Sequence, residues 1–292
     1  MPAANGASVD WPTLRVNPMS LSARIATAVP LAAICAAAVW YLPPPAFPVI
    51  VGVIVLLGAW EWSALAGIST SPSRCAYVAV LLVAGGALIV MTDAVLALRT
   101  AIGAVMFWAG ALLLIIATER GGFSLQNWPR LRALCGALVL LPMWLCLYAL
   151  YVGPQGSVQV LFLLVLVWGA DIAAYAAGRA WGRRRLCPAV SPGKSWEGAW
   201  AGLLAGGVLG ALFALSQNLP ASGMLRFTLL AVLTVTASIA GDLFESMVKR
   251  SANVKDSGTL LPGHGGILDR IDSLTAAAPF YLFGLHYAGS QS

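Results

Sequence analysis

Apolar runs of membrane-spanning length recur along almost the whole chain and are separated by short polar segments. A helix that crosses a hydrocarbon layer about 30 Å thick needs roughly 20 apolar residues. The pattern predicts nine spanning helices, at about 25–42, 46–67, 75–92, 95–118, 132–152, 158–180, 198–216, 224–248 and 274–289. Because backbone polar groups in lipid must be paired within their own segment, we expect an all-α, polytopic integral membrane bundle.

Positive charge alternates from one connection to the next. Lys and Arg residues precede the first span and occupy the connections after the second, fourth, sixth and eighth spans, whereas the other connections hold none. By the positive-inside rule, the N-terminus and the Lys- and Arg-bearing connections lie in the cytoplasm, and the C-terminus lies outside.

The composition excludes a soluble globular protein. Only 10% of the 292 residues are charged and the mean hydropathy is +0.85, whereas soluble domains carry about 25% charged residues. Orientation and lipid headgroups account for the net charge of +6, so we expect no nucleic-acid partner. The scattered cysteines lack C-x-x-C spacing, which predicts buried free thiols rather than disulfides or a zinc site. They are Cys35, Cys75, Cys135, Cys146 and Cys187.

One stretch near the C-terminus, 241–273, concentrates charge that is rare elsewhere. It holds five of the eleven acidic residues and four of the seventeen Lys and Arg residues. Charge is costly near a bilayer, so this cluster indicates a site for a charged substrate. If 241–250 is helical, several polar side chains share one of its faces. They are Asp242, Glu245, Ser246, Lys249 and Arg250.

A glycine-rich turn and two further carboxylates complete this stretch. The backbone N–H groups of Leu261–Gly266 can approach an anion closely. Asp269 and Asp272 follow, about one helical turn apart. Carboxylates suit Mg²⁺, whereas Lys, Arg and N–H groups suit phosphate oxygens. The stretch therefore predicts a magnesium–nucleotide or pyrophosphate site at a membrane surface.

Two further polar segments precede it. Asp171 lies within the sixth span, on one helix face with Tyr175, and an intramembrane carboxylate is either functional or satisfied by a neighbouring helix. Gly-Lys-Ser at 193–195 is not a P-loop, because that motif needs glycine at position 188, which is Pro188. We expect a turn there that delivers one Lys and two hydroxyl groups to the start of a helix, where N–H groups are free.

Three segments carry a family resemblance. They read W-G-A-D-I-A-A-Y-A-A-G at 168–178, S-P-G-K-S-W-E-G at 191–198, and S-M-V-K-R-S-A-N-V-K-D-S-G-T-L-L-P-G-H-G-G-I-L-D-R-I-D at 246–272. Together they resemble the phosphatidate cytidylyltransferases, also called CDP-diacylglycerol synthases. The third segment matches over twenty-seven positions, which makes a chance match very improbable.

The resemblance implies a reaction, a cofactor and a location. The reaction is CTP + phosphatidate → CDP-diacylglycerol + pyrophosphate, for phospholipid biosynthesis. The cofactor is Mg²⁺, and a second ion such as K⁺ remains open. The family is usually a homodimer, so we expect one here, in the cytoplasmic (inner) membrane with the active site facing the cytoplasm.

We assign roles on this basis. The chain divides into a polar N-terminal tail at 1–22, N-terminal transmembrane helices at 23–155 and a C-terminal transmembrane catalytic region at 156–292. The catalytic residues are Asp242, Asp269 and Lys249. The principal metal ligands are Asp242 and Asp269, and the secondary ones are Asp171, Asp256 and Asp272. The substrate-binding residues are Ser191, Lys194, Ser246, Arg250, Lys255, His264, Gly265, Gly266 and Arg270.

Other interpretations stay open from the sequence. A CTP-dependent kinase of a polyprenol or phytol-type alcohol would also need CTP and Mg²⁺ beside lipid. A membrane transporter would use Glu61, Arg99 and Asp171 as translocation residues. Otherwise Glu61 and Arg99 are expected to form a structural ion pair, or to extend their charged groups to the membrane interface.

Overall fold

The computed structural model of the protein describes residues 21–258, 260 and 265–289. Within these residues the chain forms nine α-helices and one two-stranded antiparallel sheet. The helices are α1 Leu21–Tyr41, α2 Phe47–Leu65, α3 Ser71–Val90, α4 Ala94–Glu119, α5 Pro129–Val152, α6 Gly156–Trp181, α7 Trp196–Ser216, α8 Ala221–Ser251 and α9 Leu268–Gly289. The strands are β1 Arg185–Cys187 and β2 Ser191–Ser195. A short 3₁₀ turn, Leu125–Asn127, precedes α5.

Each predicted span coincides with a helix, which confirms the polytopic helical fold. Among the described residues, the seven helices α2 to α8 are long and apolar enough to cross a membrane. The described apolar part of α1, Ala32–Tyr41, is shorter. Helix α9 begins at Leu268 rather than near position 274, because the charged residues Asp269 and Asp272 form its first turns instead of a connection before it.

The hairpin of β1 and β2 was not predicted. Arg185 pairs with Ser195, and Cys187 pairs with Ser191. Lys194 therefore lies on a strand and not in the expected turn. The strands are too short to show an alternating apolar pattern, which is why the sequence did not indicate them. Ser195 also caps the N-terminus of α7: its hydroxyl accepts a hydrogen bond from the N–H of Gly198 at 3.2 Å.

Small residues let α7 pack closely between α6 and α8. A Cβ atom at Gly202 would lie 3.2 Å from the carbonyl oxygen of Ala170 in α6. One at Gly206 would lie 2.6 Å from Cγ2 of Val235 in α8. Glycine at these positions therefore permits close helix packing.

An aromatic cluster joins the N-terminal helices to the C-terminal ones. The rings of Trp62 in α2 and Phe244 in α8 lie 6.5 Å apart, and Trp108 in α4 meets Phe244 edge-on at 5.6 Å. Both tryptophans are only 1% exposed. Residues on both sides of the predicted division at 155/156 thus share one apolar core, while the division itself stays a prediction.

The cysteines are all free, but their burial is less uniform than expected. Cys135, Cys146 and Cys187 are buried, whereas Cys35 is partly exposed and Cys75 is exposed. Cys35 lies in α1 and Cys75 near the start of α3, on faces that the other described helices do not fully cover.

Candidate active site

Acidic and basic side chains converge where the end of α8 meets the start of α9, beside β2 and α6. The group consists of five carboxylates and two lysines. They are Asp171, Asp242, Glu245, Asp269, Asp272, Lys194 and Lys249. Helix α8 and helix α9 run antiparallel, so successive turns of one face successive turns of the other.

Lys194 connects the hairpin to α8. Its ammonium nitrogen lies 2.6 Å from Oδ2 of Asp242, and both side chains are about a quarter exposed, at 26% and 30%. The other carboxylate oxygen of Asp242 accepts a longer hydrogen bond from Ser246, at 3.4 Å. Asp171, in α6, lies within electrostatic reach of both Asp242 and Lys194.

Lys249 connects α8 to α9. Its ammonium nitrogen lies 2.6 Å from Oδ1 of Asp269 and 3.2 Å from Oε1 of Glu245, one helical turn earlier. This pair is more buried than the first, with Lys249 at 11% and Asp269 at 14% side-chain exposure. The two predicted principal ligands, Asp242 and Asp269, thus have different lysines as partners.

Both carboxylate oxygens of Asp269 accept hydrogen bonds from the protein. Besides the contact of Oδ1 with Lys249, its Oδ2 accepts from the N–H of Gly266 at 2.8 Å. The same oxygen accepts from the N–H and the hydroxyl of Ser257, at 3.1 and 3.0 Å. The carboxylate of Asp269 therefore fixes the last part of the connection between α8 and α9.

Glu245 and Asp272 form the buried part of the group. Asp272 lies within electrostatic reach of Asp242 and Glu245. Glu245 is 2% exposed, and burial makes its carboxylate dependent on the few polar groups around it. Lys249 supplies its counter-charge. Across the residues that the structure describes, no three His, Cys, Asp or Glu side chains are arranged to hold a metal ion.

The predicted substrate-binding residues surround this group. Ser191 begins β2, and the guanidinium of Arg250 contacts the carbonyl oxygen of Val190 at 3.4 Å, so both border the hairpin. Lys255 and Arg270 are exposed on either side of the connection between α8 and α9. Asp256, a secondary candidate ligand, is also exposed there. His264 lies outside the described residues.

The glycines before α9 are used by the protein itself. Gly265 has φ of 81°, a conformation that favours glycine. A Cβ atom there would lie 2.7 Å from Oδ2 of Asp269. The N–H of Gly266, which the sequence offered as an anion-binding group, is donated to Asp269.

The expected ion pair between Glu61 and Arg99 is wrong. Glu61 lies near the end of α2 and Arg99 near the start of α4. Successive spans alternate in direction, which puts these two positions at opposite ends of the bundle. Glu61 instead contacts Ile267 and Leu268 at the start of α9.

The contacts of two carboxylates near the cluster were missed. Glu61 accepts a hydrogen bond from the hydroxyl of Ser257 at 3.0 Å. Glu119, at the end of α4, accepts one from the N–H of Ala189 at 3.0 Å and one from the thiol of Cys187 at 3.0 Å, which holds the hairpin. The signal for Glu61 was its position: a carboxylate near the end of an apolar span requires a polar partner at that same end.

Comparison with known proteins agrees with this arrangement. The chain is 44% identical, over 273 residues, to a Pseudomonas aeruginosa protein named phosphatidate cytidylyltransferase, covering 92% of this chain and 98% of that one. It is 36% identical, over 286 residues, to a Haemophilus influenzae protein of the same name, covering 90% and 98%. A sequence model of the cytidylyltransferase family matches residues 22–288. Since this match spans nearly the whole chain, the protein belongs to the cytidylyltransferase family.

Proposed function

We propose that this membrane protein transfers the cytidylyl group of CTP to phosphatidate, giving CDP-diacylglycerol and pyrophosphate. Relatives that cover nine-tenths of the chain carry the name phosphatidate cytidylyltransferase. The observation that carries the proposal is the pair of lysine–carboxylate contacts, Lys194 with Asp242 and Lys249 with Asp269, at the junction of α8 and α9.

The reaction needs charge neutralisation more than it needs a protein nucleophile. A phosphate oxygen of phosphatidate is already anionic at neutral pH and attacks the α-phosphorus of CTP. The new P–O bond forms as the bond from the α-phosphorus to the bridging oxygen breaks, and pyrophosphate leaves with that electron pair. Two polyanions must meet for this attack, so the protein has to offset their repulsion and align them.

Lysines and exposed cations meet that need. Lys194 and Lys249 each contact a carboxylate, and we propose that their flexible side chains turn toward phosphate oxygens when the substrates bind. We assign Ser191, Ser246 and Arg250 to the triphosphate and cytidine. The turn that includes His264 and ends in Gly265 and Gly266 joins them, with the N–H of Gly266 exchanging Asp269 for a phosphate oxygen when CTP binds. Lys255 and Arg270 are exposed at the same end of the bundle, and we assign them to the phosphatidate headgroup.

The chemistry of the donor set suits Mg²⁺, which in nucleotide sites takes one or two carboxylates together with phosphate oxygens; no three of the described side chains are arranged to hold an ion by themselves. Five carboxylates face only two lysines in this group. Asp242 would hold the ion, with Asp269, Asp171 and Asp272 as further candidates. A bound divalent cation would supply charge neutralisation for the phosphates. Removal of Mg²⁺ by EDTA is expected to abolish turnover, and added Mg²⁺ to restore it.

Location and assembly complete the proposal. By the positive-inside rule the reaction takes place at the cytoplasmic face of the inner membrane, where CTP is available. Among the described Lys and Arg residues, only Arg99 and Arg226 lie near the other end of the bundle. Following the family resemblance, we propose a homodimer, which cross-linking in native membranes would test.

Labelled CTP tests the proposed reaction. Purified protein is given phosphatidate and a polyprenol, with CTP labelled either in the cytosine base or in the γ-phosphate. We expect the base label to enter the lipid phase as CDP-diacylglycerol and the γ-label to leave as pyrophosphate. Transfer of the γ-label to a lipid alcohol would instead establish a CTP-dependent kinase and overturn the proposal.

A further inference from the structure

Two charged side chains of the N-terminal helices hold the two ends of the connection between α8 and α9. Glu61, in α2, accepts hydrogen bonds from the backbone N–H groups of Ile267 and Leu268, at 3.0 and 2.8 Å. Arg132, in α5, donates from Nη1 to the carbonyl oxygen of Ser251, the last residue of α8, at 3.2 Å. The connection is therefore fixed from outside the predicted catalytic region.

Each charge has the sign that its helix end favours. The first N–H groups and the last carbonyl groups of a helix lack partners within the helix, and the macrodipole makes the start positive and the end negative. Glu61 satisfies the start of α9, and Arg132 satisfies the end of α8. The two residues are 3% and 7% exposed, so water can hardly replace these contacts. The indole of Trp62 donates to the carbonyl oxygen of Arg132 at 2.7 Å and joins α2 to α5.

The connection is shaped around the carboxylate of Glu61. A Cβ atom at Gly258 would lie 2.5 Å from its Oε1, and one at Gly266 would lie 2.3 Å from its Oε2. No real Cβ atom approaches an oxygen that closely, so glycine is required at both positions while Glu61 keeps its place. Glycine here serves the close approach of a side chain from another helix.

A shared hydroxyl links Glu61 to the cluster. Oγ of Ser257 lies 3.0 Å from Oε2 of Glu61 and 3.0 Å from Oδ2 of Asp269. A hydroxyl has one hydrogen to donate, so the two carboxylates compete for it. Asp269 in turn holds Lys249 at 2.6 Å. Displacement of Glu61 would thus reach Lys249 through Ser257 and the first turn of α9.

We propose that Glu61 and Arg132 are positioning residues for cytidylyl transfer. They fix the two ends of the connection, so that Asp269 and Lys249 stay in register across α8 and α9. The inference rests on the proposed function, because it assigns these residues to the same reaction. Glu61 borders the backbone of Gly266 but donates no group to a substrate, and both side chains act through the backbone at the ends of the connection.

Hydrogen–deuterium exchange and kinetics of the full-length protein test this proposal together. Glu61→Gln keeps the size of the side chain and removes its charge. Peptides that cover 265–270 are expected to exchange about tenfold faster or more, as follows from loss of charge-assisted hydrogen bonds. The kcat/KM for CTP is expected to fall about 10- to 100-fold, as for displacement of a residue that orients a reacting group. Glu61→Asp should recover part of both.

Matched variants separate positioning from general stability. Asp93→Asn also replaces a carboxylate by an amide, at the start of α4, where Asp93 accepts a hydrogen bond from the N–H of Leu96 at 2.6 Å. This variant should leave exchange at 265–270 and the kcat/KM for CTP unchanged. Arg132→Met should raise exchange at the end of α8. Equal acceleration of exchange in α6 and α7 of the Glu61→Gln protein would overturn the positioning role. An exchange rate at 265–270 equal to that of the wild-type protein would also overturn the positioning role of Glu61.

The exchange measurement also distinguishes this inference from the proposed function. If the wild-type protein formed no CDP-diacylglycerol, the proposed function would fail. Faster exchange confined to 265–270 in Glu61→Gln would still show that Glu61 holds the start of α9.

Discussion

The two lysines of the candidate site have similar partners and different surroundings. Lys249 contacts Glu245 and Asp269, and all three side chains are largely buried. Lys194 and Asp242 are each about a quarter exposed. Loss of a buried partner leaves an uncompensated charge, whereas an exposed pair is screened by water. Lys249 should therefore contribute to the stability of the fold and to substrate binding, whereas Lys194 should contribute mainly to substrate binding.

Methionine substitutions separate these roles. Lys249→Met is expected to lower the free energy of unfolding by about 3–5 kcal/mol, and Lys194→Met by no more than about 1 kcal/mol. Both should lower the rate of CDP-diacylglycerol formation. Thermal or denaturant unfolding in detergent measures the first quantity. Equal stability of the two variants would contradict the difference in burial.

Cys187 provides a test of the hairpin contact. Burial and the hydrogen bond to Glu119 raise the pKa of its thiol to about 12. Because maleimides react with the thiolate, only about one molecule in ten thousand would be reactive at pH 8. We expect negligible labelling of Cys187 at pH 8, while the exposed Cys75 serves as the comparison.

Removal of the carboxylate should reverse this protection. Glu119→Gln takes away a negative charge that favours the neutral thiol, so the pKa of Cys187 falls and labelling at pH 8 speeds up. Mass spectrometry of the labelled peptides gives both rates. Labelling of wild-type Cys187 as fast as Cys75 would show that the contact with Glu119 does not form.

The sequence indicated most of the charged side chains of the site but not how they pair. Asp242, Lys249 and Asp269 stand out because charge is rare in this chain. Their partners depend on how α8 packs against α9 and the hairpin, which local spacing cannot give. Glu61 was paired with Arg99 because both are charges within spans, although the alternating direction of the spans already separates them.

At the scale of elements, the length of each apolar run predicted the helices well, because the thickness of the bilayer sets the length of a spanning helix. The bilayer sets no such length for short polar elements. The hairpin of β1 and β2 depends on backbone pairing and on Glu119, a residue far away in the sequence. The start of α9 was missed for a related reason: its first turns are charged, and Glu61 satisfies their N–H groups.

The glycines of α7 allow a prediction about packing. Gly206→Ala would bring a Cβ atom to 2.6 Å from Cγ2 of Val235, and such overpacking costs about 1–3 kcal/mol. Gly207→Ala is the matched control, since its Cβ would lie 3.4 Å from Cγ2 of Val232, an ordinary contact. Unfolding in detergent should show loss of stability for the first variant only. Equal loss for both would indicate that helix flexibility, not packing, explains the glycines.

At the scale of the whole molecule, every second connection between helices lies at the same end of the bundle. The end of α2, the end of α4 and the start of α5 all contact the hairpin or the connection between α8 and α9. N-terminal and C-terminal helices thus build one surface. Most described cations lie at this end, which is why we assign it to the cytoplasm.

Cysteine labelling in vesicles tests that orientation. Val254→Cys places a thiol in the exposed connection after α8, and Ser222→Cys places one at the opposite end, at the start of α8. Both substitutions are made in a protein in which Cys35 and Cys75 are replaced by serine. A membrane-impermeant maleimide should label the first only in inside-out vesicles and the second only in right-side-out vesicles. The reverse pattern would place the site outside the cell.

The most direct test is the rate of CDP-diacylglycerol formation from CTP and phosphatidate by purified Asp242→Asn and Asp269→Asn proteins. We expect each to lose roughly a hundredfold or more of the wild-type rate, as for loss of a group that stabilises charge in the transition state. Asp93→Asn should match the wild type, and all three variants should insert into the membrane normally. Near-normal turnover by both site variants would contradict the assignment of catalysis to this cluster.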